Sequence, residues 1–393
     1  MVDVARAMAH DPHGVFARMR EAGPVHPIVA PDGSAAWLVT RYADVQAGLG
    51  DPRLALNKTH AKPGGYKGFE LPPALDANLL NMDPPDHTRL RRLAGQAFTA
   101  RRIAGLRGEL ERAAEELADE LAGHERVDLV KDFATPYSVG VISELLGVPT
   151  ASRADFRTWT NAVLGVDATR EGIRATVREM YAFFARLLAA KRTEPGPDLL
   201  SALITARDDG DRLSEDELTS LAFLLLFAGY ENSANLIAGS LLAMLSDDDL
   251  RASLRTDPAA IPALVEEVAR HMSPALLAIR RFAVEDVELG GVPIPAGDTV
   301  FLSIAAANRD PRRFDRPDRV DLERPDTARH LSFGQGIHYC IGAPLARLEA
   351  ELAVRTILDR FPHATRYAPT SWHPSVRVRG LASLPVELGG TRV

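Results

Sequence analysis

Apolar residues recur at helical spacing along most of this chain, and the period shortens to that of strands in only a few places. Residues 101–123 and 174–192 read as charged amphipathic helices. Ser214-Glu215-Asp216-Glu217 has the spacing of a capping box, which predicts a helix starting there and running through the apolar stretch to 245. A further helix is predicted over 259–272. From Arg281 to Val300 the pattern becomes that of short strands, broken by a Gly290-Gly291 turn and by Pro295-Ala296-Gly297-Asp298. Residues 311–330 are rich in Pro, Arg and Asp and have no period, but Phe314, Val320 and Leu322 are spaced through them, which predicts a compact coil. Helix returns at Pro344 and runs to about Phe361, and the last thirty residues read as a hairpin and loop. Residues 57–80 have no clear period and carry Pro63, Gly64, Gly65, Gly68, Pro72 and Pro73, the composition of a long loop that forms a lid or binding wall. No repeat or low-complexity linker divides the chain. The expected fold is mainly α with a minor antiparallel β part, in one domain over residues 1–393.

The run Leu218 to Leu245 is long enough to span a bilayer, but Gly229, Tyr230, Glu231, Asn232 and Ser233 sit at its middle. Those residues are costly in lipid, so it reads as a buried core helix. With 46% hydrophobic residues the 393-residue chain can build a large core, and a net charge of −7 argues against general nucleic-acid binding. Met1 to Arg20 mixes charge, His and Pro without a continuous apolar stretch, so no export signal is expected. A single cysteine forbids an intramolecular disulfide and fits a cytoplasmic setting. Only five of the 46 basic residues are lysine, which hints at a GC-rich bacterial gene.

That cysteine, Cys340, follows a glycine-bearing loop and precedes a helix whose first turn accommodates Pro344. A sulfur there meets the positive end of the helix dipole and unpaired backbone N–H groups, which stabilise a thiolate. Gly334, Gly336 and Gly342 allow tight turns and the close approach of a flat partner. Three chemistries suit such a residue: a buried structural thiol, a nucleophile with His338 as its base, and a metal ligand. Zinc is disfavoured, because no second Cys or spaced His pair accompanies it.

Phe333-Gly334-Gln335-Gly336-Ile337-His338-Tyr339-Cys340-Ile341-Gly342 resembles the haem-binding signature of the cytochrome P-450 family, with its fixed residues at Phe333, Gly336, Cys340 and Gly342. The resemblance implies the P-450 fold, with haem b between the long central helix and the helix after the cysteine, and Cys340 as the iron's thiolate ligand. Separate segments resemble the family in the same order. Glu267-Val268-Ala269-Arg270 is similar to its Glu-x-x-Arg pair, with Arg324 as the third member of a structural ion-pair triad. His87 and Arg91, spaced i,i+4 after Met82-Asp83-Pro84-Pro85-Asp86, are implied to hold the haem propionates, together with Arg281 and His338.

In the central helix, Ala228-Gly229-Tyr230-Glu231-Asn232-Ser233 resembles the family's oxygen-handling segment. The resemblance implies that Glu231, Asn232 and Ser233 handle protons and that Gly229 loosens the helix so that its backbone approaches haem. Asn232 departs from the usual threonine, and a carboxamide carries no hydroxyl proton.

The implied activity is monooxygenation, the hydroxylation or epoxidation of a mid-sized apolar molecule such as a polyketide, macrolide or terpenoid of secondary metabolism. Leu79, Leu80, Phe227, Ala228, Leu277, Ile279 and Leu381 are implied to form the substrate wall. NAD(P)H electrons are expected through a ferredoxin or flavodoxin and its reductase. The arginines of residues 89–102, with Arg312, Arg313 and Arg347, offer a basic patch for that partner. A monomer without a membrane span or nucleic-acid partner is expected. Two other classes stay open: a haem-thiolate catalyst driven by peroxide or performing oxidative coupling, which Asn232 would favour, and a non-catalytic haem sensor or carrier.

Overall fold

The computed structural model describes residues 10–30, 32–67, 76, 78–152, 155, 158–159, 170–205, 207–208 and 211–389. Its helical body is organised by seven helices: α1 (Asp86–Ala97), α2 (Arg107–Ala122), α3 (Thr135–Leu145), α4 (Arg170–Thr193), α5 (Glu215–Ser246), α6 (Ile261–Met272) and α7 (Ala343–Arg360). The apolar helix α5 runs at the centre, packed on α3, α4, α6 and α7. That position explains a sequence apolar on every face, as a helix with no solvent side requires. It is long and apolar enough to cross a membrane, yet its apolar window is mostly buried by these neighbours. Its start follows the predicted capping box: the Glu217 amide donates to Ser214 Oγ (3.2 Å) and the Ser214 amide to Glu217 Oε2 (2.8 Å).

The predicted helix over 101–123 is two helices. Ala100–Gly105 ends at Leu106, whose amide turns back to Ile103 O (3.1 Å), before α2 begins. Gly105 and Gly108 flank the break, and glycine is a poor helix former.

Five strands form the main sheet: β1 (Val25–Val29), β2 (Ala35–Val39), β3 (Leu54–Ala55), β4 (Arg281–Ala283) and β5 (Thr299–Leu302), in the order β1-β2-β5-β4-β3. The strand pairs are antiparallel as expected, except that β5 pairs with β2 in parallel, Val300 opposite Trp37. Parallel strands require a crossover, and residues 40–298 supply it. The predicted Gly290-Gly291 turn joins Val287–Leu289 to Val292–Ile294, with φ of 55° and 79° at the two glycines. The C-terminal segment is not a single hairpin. Leu381–Ser383 pairs with Ser371–Trp372, whereas Pro385–Glu387 lies between Thr365–Arg366 and Arg126–Asp128. The coil of 311–330 is compact as expected, with Phe314 buried and Val320 and Leu322 packed on the helical core.

Candidate active site

The cysteine loop is closed by its own backbone. The Cys340 amide donates to Phe333 O (2.8 Å) and the Tyr339 amide to Gly336 O (3.1 Å), with Gly334 at φ 72° and Gly336 at φ 70°. These left-handed conformations suit glycine. Helix α7 begins directly after the cysteine, with Gly342 as its cap residue and Pro344 in its first turn. Burial pushes the Cys340 thiol pKa up. The Gly342 and Ala343 amides and the charges of Arg91 and Arg347 pull it down. The N–H groups at the start of the helix are therefore directed at sulfur.

A cavity of about 320 Å³ lies between this loop and α5. Cys340, Phe333 and Gly342 line it on one side, and Ala228, Asn232 and Ser233 on the other, with Leu79, Leu80, Leu277 and Ile279 contributing apolar wall. Arg91, Arg281 and His338 also face it. His87 packs behind, its ring 4.1 Å from that of His338. Both nitrogens of buried His87 and the Nε of buried Arg281 lack hydrogen-bond partners. Desolvation, then Arg281, His87 and Arg91, pushes His338 down to about 3. Burial likewise lowers Arg281 to about 10, and burial followed by Arg91 lowers His87. Four basic groups crowded together with orphaned polar atoms are suited to anionic groups. A thiol at a helix N-terminus, apolar walls and this basic edge together fit an iron porphyrin with two carboxylates.

Several expected residues lie elsewhere. Leu381 is buried in the core and does not line the cavity; its strand pairing with Ser371–Trp372 turns it into the packed interior. Gly336 approaches Gly50 Cα and Leu49 O rather than the cavity. Glu231 is half-buried off the cavity wall; burial raises its pKa against the charge of Arg377. The Phe227 side chain lies outside the described residues. Gly229 lines the cavity as the resemblance implies, but helix α5 runs unbroken through it, without a local loosening. A Cβ there would come within 2.9 Å of Ile142 Cδ1, so this glycine lets α3 pack closely.

The cavity also gains Leu224, Leu225 and Leu236, which share a face with Ala228 and Asn232 at three- and four-residue spacing, a signal already present in the sequence. Leu49, Leu56, Ile142 and Ile304 come from distant segments and carry no local signal.

Glu349 on α7 was not anticipated. It is fully buried and takes hydrogen bonds from Ser138 on α3 (3.4 Å) and from Ser233 on α5. Desolvation outweighs those bonds and raises its pKa to about 8. Its spacing from Leu345 and Leu352, four after and three before, marks it as an inward residue of α7.

Glu267 and Arg270 form a two-pronged pair (2.8 and 2.7 Å), and Arg324 Nε donates to Glu267 Oε1 (2.9 Å). Arg270 also donates to the carbonyls of Asn308, Pro317 and Arg319. This buried triad pins the coil that leads to the cysteine loop. Of the arginines expected in a partner patch, Arg312 is held by Glu21 and Asp310, Arg313 by Asp326, Arg347 by Glu266 and Arg89 by Glu217. Those four arginines are therefore each paired with carboxylates, whereas Arg91 and Arg102 donate to the carbonyls of Tyr339 and Pro197.

A family model described as Cytochrome P450 matches residues 168–375. The chain is 46% identical to Cytochrome P450 107B1 of Saccharopolyspora erythraea, covering 98% of this chain and 96% of that protein. It is 44% identical to the 6-deoxyerythronolide B hydroxylase of the same organism, covering 97% and 96%. Among solved structures, the Bacillus subtilis bacillaene polyketide synthase cytochrome P450 PksS superposes with a TM-score of 0.92 at 39% identity, covering 99% of this chain and 100% of that one.

Proposed function

The chain belongs to the cytochrome P450 family, and from that premise we propose that it is a bacterial haem-thiolate monooxygenase acting on a polyketide or macrolide. One observation carries the reading: a single cavity has the α5 face with Asn232 on one side, Cys340 on the other, and Arg91, Arg281 and His338 around it. The names of the relatives, a 6-deoxyerythronolide B hydroxylase and a polyketide synthase P450, support the substrate class, as does the aliphatic wall.

We assign Cys340 to the iron, and His87, Arg91, Arg281 and His338 to the propionates. When bound, haem iron supplies the activation of dioxygen with two electrons and two protons, one oxygen atom entering substrate and the other leaving as water. The chain's residues act around that chemistry. The Gly342 and Ala343 amides hold charge on sulfur. The triad of Glu267, Arg270 and Arg324 keeps the coil before the loop fixed. Leu79, Leu80, Leu277, Ile279 and Ala228 orient substrate and exclude water. Ser233 connects the cavity wall to Glu349, whose raised pKa keeps it protonated at neutral pH and able to give up a proton. Asn232 donates a hydrogen bond at the same face.

We assign the electrons to NAD(P)H, passed singly by a ferredoxin or flavodoxin and its reductase in the cytoplasm. Ile337 and Tyr339, exposed on the cysteine loop, offer that protein an apolar approach beside Cys340. A reduced carbon-monoxide spectrum tests the ligand: a strongly red-shifted Soret band is expected, and its absence from haem-replete protein would remove thiolate ligation. Spin-state titration with macrolactones, followed by product mass analysis, tests the substrate class.

A further inference from the structure

Arg281 lines the cavity, whereas its neighbour Arg280 is turned onto the loop of residues 57–81. Both Nη atoms of Arg280 donate to Asn81 Oδ1 at 3.0 Å. The guanidinium lies over the rings of Tyr66 (5.2 Å) and Phe282 (5.7 Å), which themselves meet edge-on at 5.5 Å. Asn81 passes the tie on, donating to Asp76 Oδ1 (2.9 Å), and Asp76 is paired with Lys58 (2.8 Å). Arg280 thus joins the start of the loop, its end and the sheet strand β4.

The two halves of that loop are held differently. The first is stitched to the scaffold by backbone: the Lys62 amide donates to Gly297 O (2.9 Å), Thr299 Oγ1 donates to Gly65 O (3.2 Å), and the Lys67 amide donates to Asp32 Oδ2 (2.9 Å). Residues 78–81 carry Leu79 and Leu80 into the cavity and are tied back through Asn81–Arg280, with a further hydrogen bond between His338 and the Leu79 backbone. One neutral acceptor shared by two donors is a weaker tie than the buried carboxylate pair of Glu267 and Arg270. The Nε of Arg280 is buried without a partner, so no third bond reinforces it. Such a tie can open without unfolding what surrounds it.

We propose that Arg280 is a positioning residue for substrate: a latch, closed on Asn81 and the two aromatic rings, that holds the Leu79–Leu80 wall against a bound molecule and sets how fast the molecule enters and leaves. The inference rests on the reading of the cavity as the haem and substrate site. It differs from a purely structural role because the exchange of a ligand that packs on the wall, and not global stability, should respond to its loss.

The test uses the haem-loaded protein and two iron-ligating probes, imidazole and 4-phenylimidazole, followed by their absorbance change in stopped flow. Imidazole is small enough to bind without the wall, while the phenyl ring has to pack on it. In Arg280→Ala, and separately in Asn81→Leu, release of 4-phenylimidazole should accelerate by about tenfold, while imidazole release changes by less than about twofold. Arg280→Lys keeps a cation for Asn81 and the rings and should recover most of the slow release. Asn81→Leu leaves both arginines in place, so it keeps the test valid if Arg280→Ala disturbs haem retention through Arg281.

Lysine-specific proteolysis gives a second readout. Three of the five lysines, Lys58, Lys62 and Lys67, lie in this loop. Their cleavage relative to exposed Lys131 should rise in both variants. Unchanged 4-phenylimidazole release in the two variants would overturn the latch, even if proteolysis rises. Failure of the wild-type protein to give an absorbance change with imidazole would overturn the haem reading itself, and the latch with it.

Discussion

The cysteine loop and the wall opposite it are built on different principles. From Phe333 to Cys340 the loop is one short segment, shaped by its own backbone bond from Cys340 to Phe333 O and by two left-handed glycines. The facing wall draws Leu79, Leu80, Leu225, Ala228, Leu236, Leu277 and Ile279 from three separated segments, with no hydrogen bond defining any of these side chains' positions. With Cys340 as the proposed iron ligand, the loop needs its particular residues, because a metal ligand, a positive φ and a helix N-terminus each tolerate few side chains. The wall needs only apolar volume, which many sequences supply. Substitution on the cysteine side should therefore act as a switch, and on the wall as a dial.

The sharpest break is Cys340→Ser, which should abolish both the red-shifted carbon-monoxide band and oxygenation while leaving the fold intact; retention of the band would sink the assignment. Next comes Arg270→Ala. It leaves Glu267 buried with Arg324 as its one side-chain cation and strips donors from three carbonyls, at a cost of about 3–5 kcal/mol. Guanidinium unfolding should show that loss, with haem retention falling in parallel. A loss under about 1 kcal/mol would mean that the triad does not anchor the loop.

Glu349 joins the two regions and gives a pH signature. Its folded pKa of about 8 stands above the ordinary 4.5, so the folded state holds its proton longer. The associated stability is fully present below about 4.5 and is lost as pH rises through about 8. At about 1.4 kcal/mol per pKa unit the change amounts to several kcal/mol. Glu349→Gln keeps a partner for Ser138 and Ser233 without the titration. It should be more stable than wild type at pH 9 and close to it at pH 5, by guanidinium melts. Parallel pH profiles for the two proteins would show that the carboxyl is not held protonated.

How much was legible follows the same division. The cysteine motif, the capping box and the i,i+3 spacing of Glu267 and Arg270 are local, so the sequence displays them directly. The triad's third member, Arg324, was placed by family likeness and indeed bonds Glu267. The parallel partner of β5 was hidden, because β2 lies across the whole helical body in sequence. Leu381 looked like wall but is core, since an apolar residue does not announce which apolar surface it meets. Gly229 lines the cavity as the family likeness implies, and it also admits Ile142, a contact set by how two helices cross. Glu349 carries a weak signal, because a glutamate on a helix is ordinarily solvated, although its spacing from Leu345 and Leu352 points inward.

On the wall, effects should be graded. Leu225→Ala adds space on the α5 face. It should shift the affinity for a bulky ligand such as 4-phenylimidazole by about tenfold, the scale of a few methylenes in an apolar pocket, and leave the carbon-monoxide band unchanged. An equal shift for imidazole would mean that the change reaches the haem rather than the wall.

The smallest expected effect is also the one that bears most on mechanism. Asn232 faces the cavity one residue before Ser233, which leads to Glu349. A carboxamide donates and accepts hydrogen bonds but does not release a proton, so proton supply here has to run through the serine, water or substrate. Asn232→Thr restores a hydroxyl at that position. Its Oγ1 would also find the Ala228 carbonyl one turn back, as helical threonines do, which ties up part of what it offers. With the Ser233–Glu349 connection still present, product formed per NAD(P)H consumed should rise only about twofold to fivefold, far below the full value of a general acid. Glu349→Gln should enlarge that gain, because the threonine then carries more of the supply. If Asn232→Thr leaves coupling unchanged in both backgrounds, protons reach the site by neither side chain, and the α5 face serves to shape the cavity alone.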